Sequence, residues 1–271
     1  MNEINKSNKI NYLVRIINVF PEVAIFFAFN IFYIFFNVKI LSLAHDSIAF
    51  VNQFFILAST KGVTLDWFYP HFLLSKAVYI AYLKLLFLFG LEKISINAYS
   101  SVLILNGIFT SISMTVFFRI LRIRFQLKNS LAFLWTLLLS TTFISWSYLT
   151  TIEVYALSFM VGIISFYFLL DIKLLKKHPI KLGLLHALAS LFHIRYVLLG
   201  IIPIWFLGVK YKHKMIFLTY FLTAALIFLG SYCGIIFFSL PHDKDLIANI
   251  ITFIFIMMQL LQRPMLNDVI N

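Results

Sequence analysis

A single cysteine, Cys233, excludes an intrachain disulfide, and with no CxxC pair the chain offers neither redox chemistry nor a cysteine-based metal set. It lies inside an apolar run and reads as a packing residue. There is also no Gly-rich phosphate loop, no HExxH helix and no internal repeat, so the usual marks of nucleotide binding, zinc peptidase chemistry and solenoid folds are missing. Carboxylates are few as well: ten Asp and Glu stand against 22 Lys and Arg, for a net charge of +12. Such an excess points to nucleic acid when it covers one soluble face. Here the basic residues fall in short clusters between apolar runs, which argues against a nucleic-acid partner.

Apolar residues are what the chain has in abundance. At 62% hydrophobic, 18% aromatic and a mean hydropathy of +0.97, there is too little polar surface to cover a soluble domain. Several runs approach or exceed the roughly 20 residues that cross the hydrocarbon core as helix, and the alternating strands of a barrel are absent. The expectation is an all-α fold: a polytopic transmembrane helical bundle of about seven to eight spans, one domain over residues 1–271, with the lipid bilayer as its partner.

The clusters set the path of the chain. Lys6, Lys9 and Arg15 precede the first span; Arg119, Arg122, Arg124 and Lys128 form a second group, Lys173, Lys176, Lys177 and Lys181 a third, and Lys210, Lys212 and Lys214 a fourth. The positive-inside rule makes all four cytoplasmic, with the N-terminus inside. Consecutive cytoplasmic clusters need an even number of crossings between them. Residues 18–38 lead out and 98–118 lead back, so the apolar stretch 70–90 cannot also cross. With Lys76 and Lys84 two turns apart, it reads as an amphipathic helix in the outer interface, within a first outer loop of residues 39–97. Residues 45–60 suggest a shorter helix of that kind. The remaining spans are 129–147, 153–172, 182–193, 195–209 and 215–238, the pair around His193 and Arg195 forming a tight hairpin or one re-entrant element. Residues 247–262 are an eighth span or another interfacial helix. The first apolar run exceeds an ordinary signal-peptide core, so a retained anchor is expected despite the small-residue "SLA" at 42–44.

This topology sorts the polar residues to one side: Asp46, Asp66, His71, Glu92, Glu153, His193, Arg195, Asp243 and Asp245 all come to the outer end. A charge near the membrane normally faces water, a partner or a cavity. Structural roles compete: Asp46 as a helix N-cap, Asp66 as a turn residue before "WFYP", His71 as a headgroup or water contact, Glu153 at a helix N-terminus, Arg195 snorkelling to headgroups.

The order of these elements carries a resemblance. One span, "HDSIAF" (45–50), "YPHFLL" (69–74) opening an apolar helix, a span ending in arginines, "TIEVYALSF" (151–159) and "LASLFHIRYVLL" (188–199) together resemble bacterial membrane proteins related to protein O-mannosyltransferases, in the GT-C glycosyltransferase superfamily. The resemblance covers about residues 15–210, and Glu153 to Leu157 is its most specific piece. Ile48 and Ala49 stand where the related proteins usually carry Gly-Glu, and Phe72 stands in place of a proline. What the resemblance implies is an enzyme of the bacterial inner (plasma) membrane that moves a sugar from a polyprenyl-phosphate-linked donor to an acceptor on the outer side. By position Asp46 matches the essential acid, a base for the acceptor hydroxyl, with His71, Glu153, His193 and Arg195 binding substrate. A divalent cation bridging carboxylates and phosphate is compatible with this chemistry, but no ligand spacing specifies one. Donor sugar and acceptor are not specified.

Two alternatives stand beside it. A non-enzymatic transporter or flippase would bind a lipid headgroup with the same outer charges; it should also carry polar groups through the bundle, and His186 is the main candidate. The other is a degenerate, truncated family member, since 271 residues are few for the family.

Overall fold

The computed structural model describes residues 20–33, 54, 56–59, 74–90, 95–142 and 155–239. Among these every regular element is helical and no strand occurs, so the all-α expectation holds. The helices are α1 (Phe20–Tyr33), α2 (Ser75–Leu88), α3 (Ser95–Ile123), α4 (Asn129–Thr141), α5 (Tyr155–Leu169), α6 (Ile172–Lys177), α7 (Pro179–Phe192) and α8 (Lys214–Ser239). Two stretches, Ser100–Ile123 and Lys214–Gly234, are long and apolar enough to cross a membrane; α1, α4, α5 and α7 are shorter apolar helices.

Local chemistry sets several helix ends. Gly90 takes the left-handed conformation (φ 78°) and closes α2, its amide donating to the Phe87 carbonyl at 2.9 Å. Asp171 caps α6, its carboxylate accepting from the Leu174 amide at 3.0 Å, while Lys176 and Lys177 suit the negative end of that helix. Pro179 begins α7, where a missing N–H costs nothing. Between α7 and α8 the chain continues as a 3-10 helix (Ile194–Gly200), one α turn (Ile201–Pro203) and a π-helical stretch (Ile204–Lys210). The expected hairpin after His193 is therefore an α helix returning through a helix of changing pitch.

Small residues permit the closest approaches. A Cβ on Gly183 of α7 would lie 2.7 Å from the Tyr220 carbonyl oxygen of α8, and one on Gly162 of α5 would lie 2.2 Å from Cζ of Tyr196. Asn106, Thr110, Ser111 and Ser113 of α3 are buried with Thr136 and Ser140 of α4, several of the hydroxyls donating back to carbonyls of their own helix. Three apolar clusters fill the remainder: one beneath α2, one joining α1, α3 and α4, and one between α7, α8 and the π-helical stretch.

Charged and aromatic contacts gather helix ends at one pole, the basic end. Glu22 near the start of α1 meets Arg122 near the end of α3 at 3.0 Å, and Arg124 meets Asp171 beyond α5 at 3.0 Å. The Lys176 ammonium lies 4.2 Å from the centroid of the Tyr211 ring, past the π-helical stretch. The start of α1 and the ends of α3, α5 and the 194–210 segment thus share one pole.

One face of α2 packs on the bundle: Tyr79, Ile80 and Leu83 are buried, Lys76 is buried with them, and the Tyr79 hydroxyl donates to Asn106 Oδ1 at 2.5 Å. Phe54, Val102, Leu103, Leu157 and Phe192 form a pocket around this face. Helix α2 has 14 residues. Cys233, expected to pack, is exposed on α8. Helix α8 is apolar all round, so position in the run did not mark which side meets the bundle.

Candidate functional site

The pole opposite the basic end is built where α7 stops. Its last residue, Phe192, has a carbonyl with no partner inside the helix, a general condition of helix C-termini. Two serines from other helices fill it: Ser75 Oγ of α2 lies 2.8 Å from that oxygen and Ser158 Oγ of α5 lies 3.1 Å away, with 2.8 Å between the two hydroxyls. Two hydroxyl protons serve three oxygen contacts, so one serine donates to the carbonyl while the other donates either to it or to its neighbour. The Leu74 amide donates to the Leu191 carbonyl at 3.2 Å, tying the start of α2 to the same turn.

His193 follows at once. Its backbone is extended (φ −156°, ψ 123°), its amide still donates to the Ala189 carbonyl, and its ring is buried. Nδ1 lies 3.1 Å from the Arg195 amide and must accept from it, so the neutral imidazole carries its proton on Nε2. The ring lies between Tyr155 and Tyr196, each with its centroid 5.9 Å away. Arg195, two residues on, is exposed. The Arg195 backbone amide thus orients a buried imidazole, and an exposed guanidinium, a group suited to gripping an anion at its edge, stands two residues along the chain.

Of the residues expected from sequence, the structure describes His193 and Arg195, linked through the Arg195 backbone amide. Asp46, His71 and Glu153 lie outside the described residues, as do Asp66, Glu92, Asp243, Asp245 and the stretch 247–262. The helices that follow His71 and Glu153 in sequence, α2 and α5, both begin at this pole. Among the described residues, no three His, Cys, Asp or Glu side chains gather to hold a metal ion.

Sequence reasoning missed Ser75, Ser158 and the inward course of Lys76. Serines in an apolar run carry no signal that separates a partner to another helix from a bond within their own. It also missed Glu22 and Asp171. Glu22 sits in the first turn of α1, and Asp171 directly before "IKLLKK" was readable as a cap. The Leu174 amide, with help from the Arg124 guanidinium and against partial burial, holds the Asp171 carboxyl below its ordinary range.

His186, the internal candidate of the transporter alternative, is hydrogen-bonded at both ring nitrogens. Its Nε2 lies 2.9 Å from the Tyr196 carbonyl oxygen and must donate to it; Nδ1 then accepts from the Tyr220 hydroxyl at 2.6 Å. Both ring nitrogens are spent on fixing the 194–210 segment between α7 and α8. Comparison of the chain with family models, with curated proteins and with solved structures finds no match.

Proposed function

We propose that this protein is a polytopic membrane glycosyltransferase of GT-C type, with about seven to eight crossings, that transfers a sugar from a polyprenyl-phosphate carrier to an acceptor outside the membrane. The observation that carries the reading is Arg195, exposed beside the buried and oriented His193, at the pole opposite the basic clusters.

In this reading Asp46 takes the proton of the acceptor hydroxyl as its oxygen bonds to the sugar's anomeric carbon. The bond from that carbon to the phosphate oxygen breaks, and polyprenyl phosphate leaves with the electron pair. The developing charge falls on the phosphate, where Arg195 and His193 supply charge-assisted and neutral hydrogen bonds. His71 and Glu153 orient the acceptor or the headgroup. The transporter alternative draws less support, because both nitrogens of its main internal candidate, His186, are engaged in packing.

The test is transfer by purified protein from radiolabelled polyprenyl-phosphate sugars to hydroxyl acceptors. Arg195→Lys keeps the charge but not the planar fork, so it should weaken donor binding, and Arg195→Ala should weaken it further. Wild-type binding by both variants would remove Arg195 from the site.

A further inference from the structure

At the basic end, α1 and α3 leave an open groove of about 320 Å³ between Val23, Phe26 and Phe27 on one side and Ile112, Thr115 and Val116 on the other. Its walls are apolar; the Thr115 hydroxyl is spent on the Ser111 carbonyl at 2.7 Å. Glu22 closes one end, with Oε1 3.0 Å from Arg122 Nη1 and 3.9 Å from Arg119 Nη1. Arg119 stands one helical turn beyond Thr115 on the same side of α3, and its Nη1 comes within 3.9 Å of the Glu22 carboxylate that closes the groove. Its Nε–H donates to the Tyr167 hydroxyl at 3.1 Å, with the guanidinium 5.7 Å from the centroid of that ring, and the side chain remains 41% exposed.

Two guanidinium groups and one carboxylate leave a net positive charge at the mouth of an apolar slot. We propose that this groove is a binding site for an anionic phospholipid, one acyl chain lying along α1 and α3 and the phosphate on the terminal nitrogens of Arg119. The charge pattern selects the occupant. A phosphate balances the excess, whereas a choline headgroup brings its own cation beside Arg119 and gains less. The hydrogen bond from Nε to the Tyr167 hydroxyl already holds the guanidinium, so little freedom is lost when the phosphate arrives. The site is remote from His193 and Arg195, at the other pole. It rests on the membrane part of the reading above and not on glycosyl transfer.

The test is native mass spectrometry of the full chain from detergent, offered phosphatidylglycerol or phosphatidylcholine with the same acyl chains, with inorganic phosphate as competitor. The wild type should retain phosphatidylglycerol about tenfold better, the scale of one charge-assisted contact. Arg119→Gln should bring the two lipids to near parity, while Val116→Trp fills the groove, spares the charge and should weaken phosphatidylglycerol about tenfold. Arg119→Lys should keep most of the preference, and serves with Val116→Trp should the Gln variant not fold. Equal retention of both lipids by the wild type would overturn the proposal, as would unchanged binding in Val116→Trp. Displacement by inorganic phosphate would show a simple anion site instead and overturn it too. Release of the protein from membranes by alkaline carbonate would refute the membrane reading itself, whereas a retained protein without lipid preference would refute this site alone.

Discussion

The Tyr220 hydroxyl of α8 lies 2.6 Å from His186 Nδ1 of α7, and the two rings stack with their planes 8° apart. The opposite nitrogen faces a carbonyl, which can only accept, so Nδ1 is an acceptor and Tyr220 is its donor. Tyr220→Phe keeps the stacked ring and strands a buried nitrogen. The expected loss of stability is about 0.5–2 kcal/mol, the range for an interhelical hydrogen bond and its unsatisfied partner. Denaturant unfolding in micelles measures it. Unchanged stability would mean that ring packing alone joins α7 to α8.

Asp171 gives a pH prediction. Its carboxyl titrates below the ordinary range when folded, because the Leu174 amide and Arg124 favour the charged form. Its contribution to stability is therefore fully present above the unfolded value of about 3.9 and disappears as pH falls through the lower folded value. Asp171→Asn keeps a good cap but cannot titrate. The variant should lose less stability than wild type between pH 6 and the acid limit, with the two curves converging at low pH. Thermal melting over that range gives the comparison, and parallel curves would deny Asp171 a part in acid sensitivity.

Much of the helix order was legible because apolar runs and basic clusters alternate along the chain. The runs at 98–118 and 215–238 became α3 and α8, and the arginines after position 118 mark the end of α3 at the basic pole. Helix faces were not legible. In a chain this apolar the period that reveals a buried stripe is nearly lost, so Tyr79 and Lys76 gave no sign that they turn inward. Long-range partners were equally silent: nothing near Glu22 indicates Arg122, a hundred positions later, or near Ser75 the carbonyl of Phe192. The change of pitch across 194–210 falls at Gly200 and Pro203, and the bond from His186 to the Tyr196 carbonyl that holds the segment is one no local pattern encodes. At the site, His193 and Arg195 were legible because ionisable residues between apolar runs are rare. Asp46, His71 and Glu153 stand on the same sequence argument and lie outside the described residues.

The shared pole of Glu22, Arg122, Arg124, Asp171 and Lys176 leads to a topology test. In a Cys233→Ser background, single cysteines at Lys128 and Lys176 should be protected from an impermeant maleimide in intact cells. Cysteines at Lys93 and Asp243 should label. External labelling at Lys128 would mean that one further crossing precedes α3, with residues 70–90 as the candidate, and the parity scheme would fail.

For Asp46 an amide replacement separates capping from catalysis. Asn is nearly the size of Asp and caps helices about as well, so Asp46→Asn should leave expression, insertion and melting temperature close to wild type. An amide cannot accept the acceptor's proton. If Asp46 is the base, the variant should bind donor lipid normally and lose transfer by roughly 100- to 10,000-fold. The wild type is assayed first, because Ile48 and Ala49 replace the Gly-Glu that follows the acid in the related proteins. Transfer by wild type that persists in Asp46→Asn would remove the catalytic role. A wild type that binds polyprenyl-phosphate sugars yet transfers none, with binding unchanged in Asp46→Asn but weakened in Arg195→Ala, would leave a lipid-phosphate binder without a base, and the non-enzymatic alternative would replace glycosyl transfer.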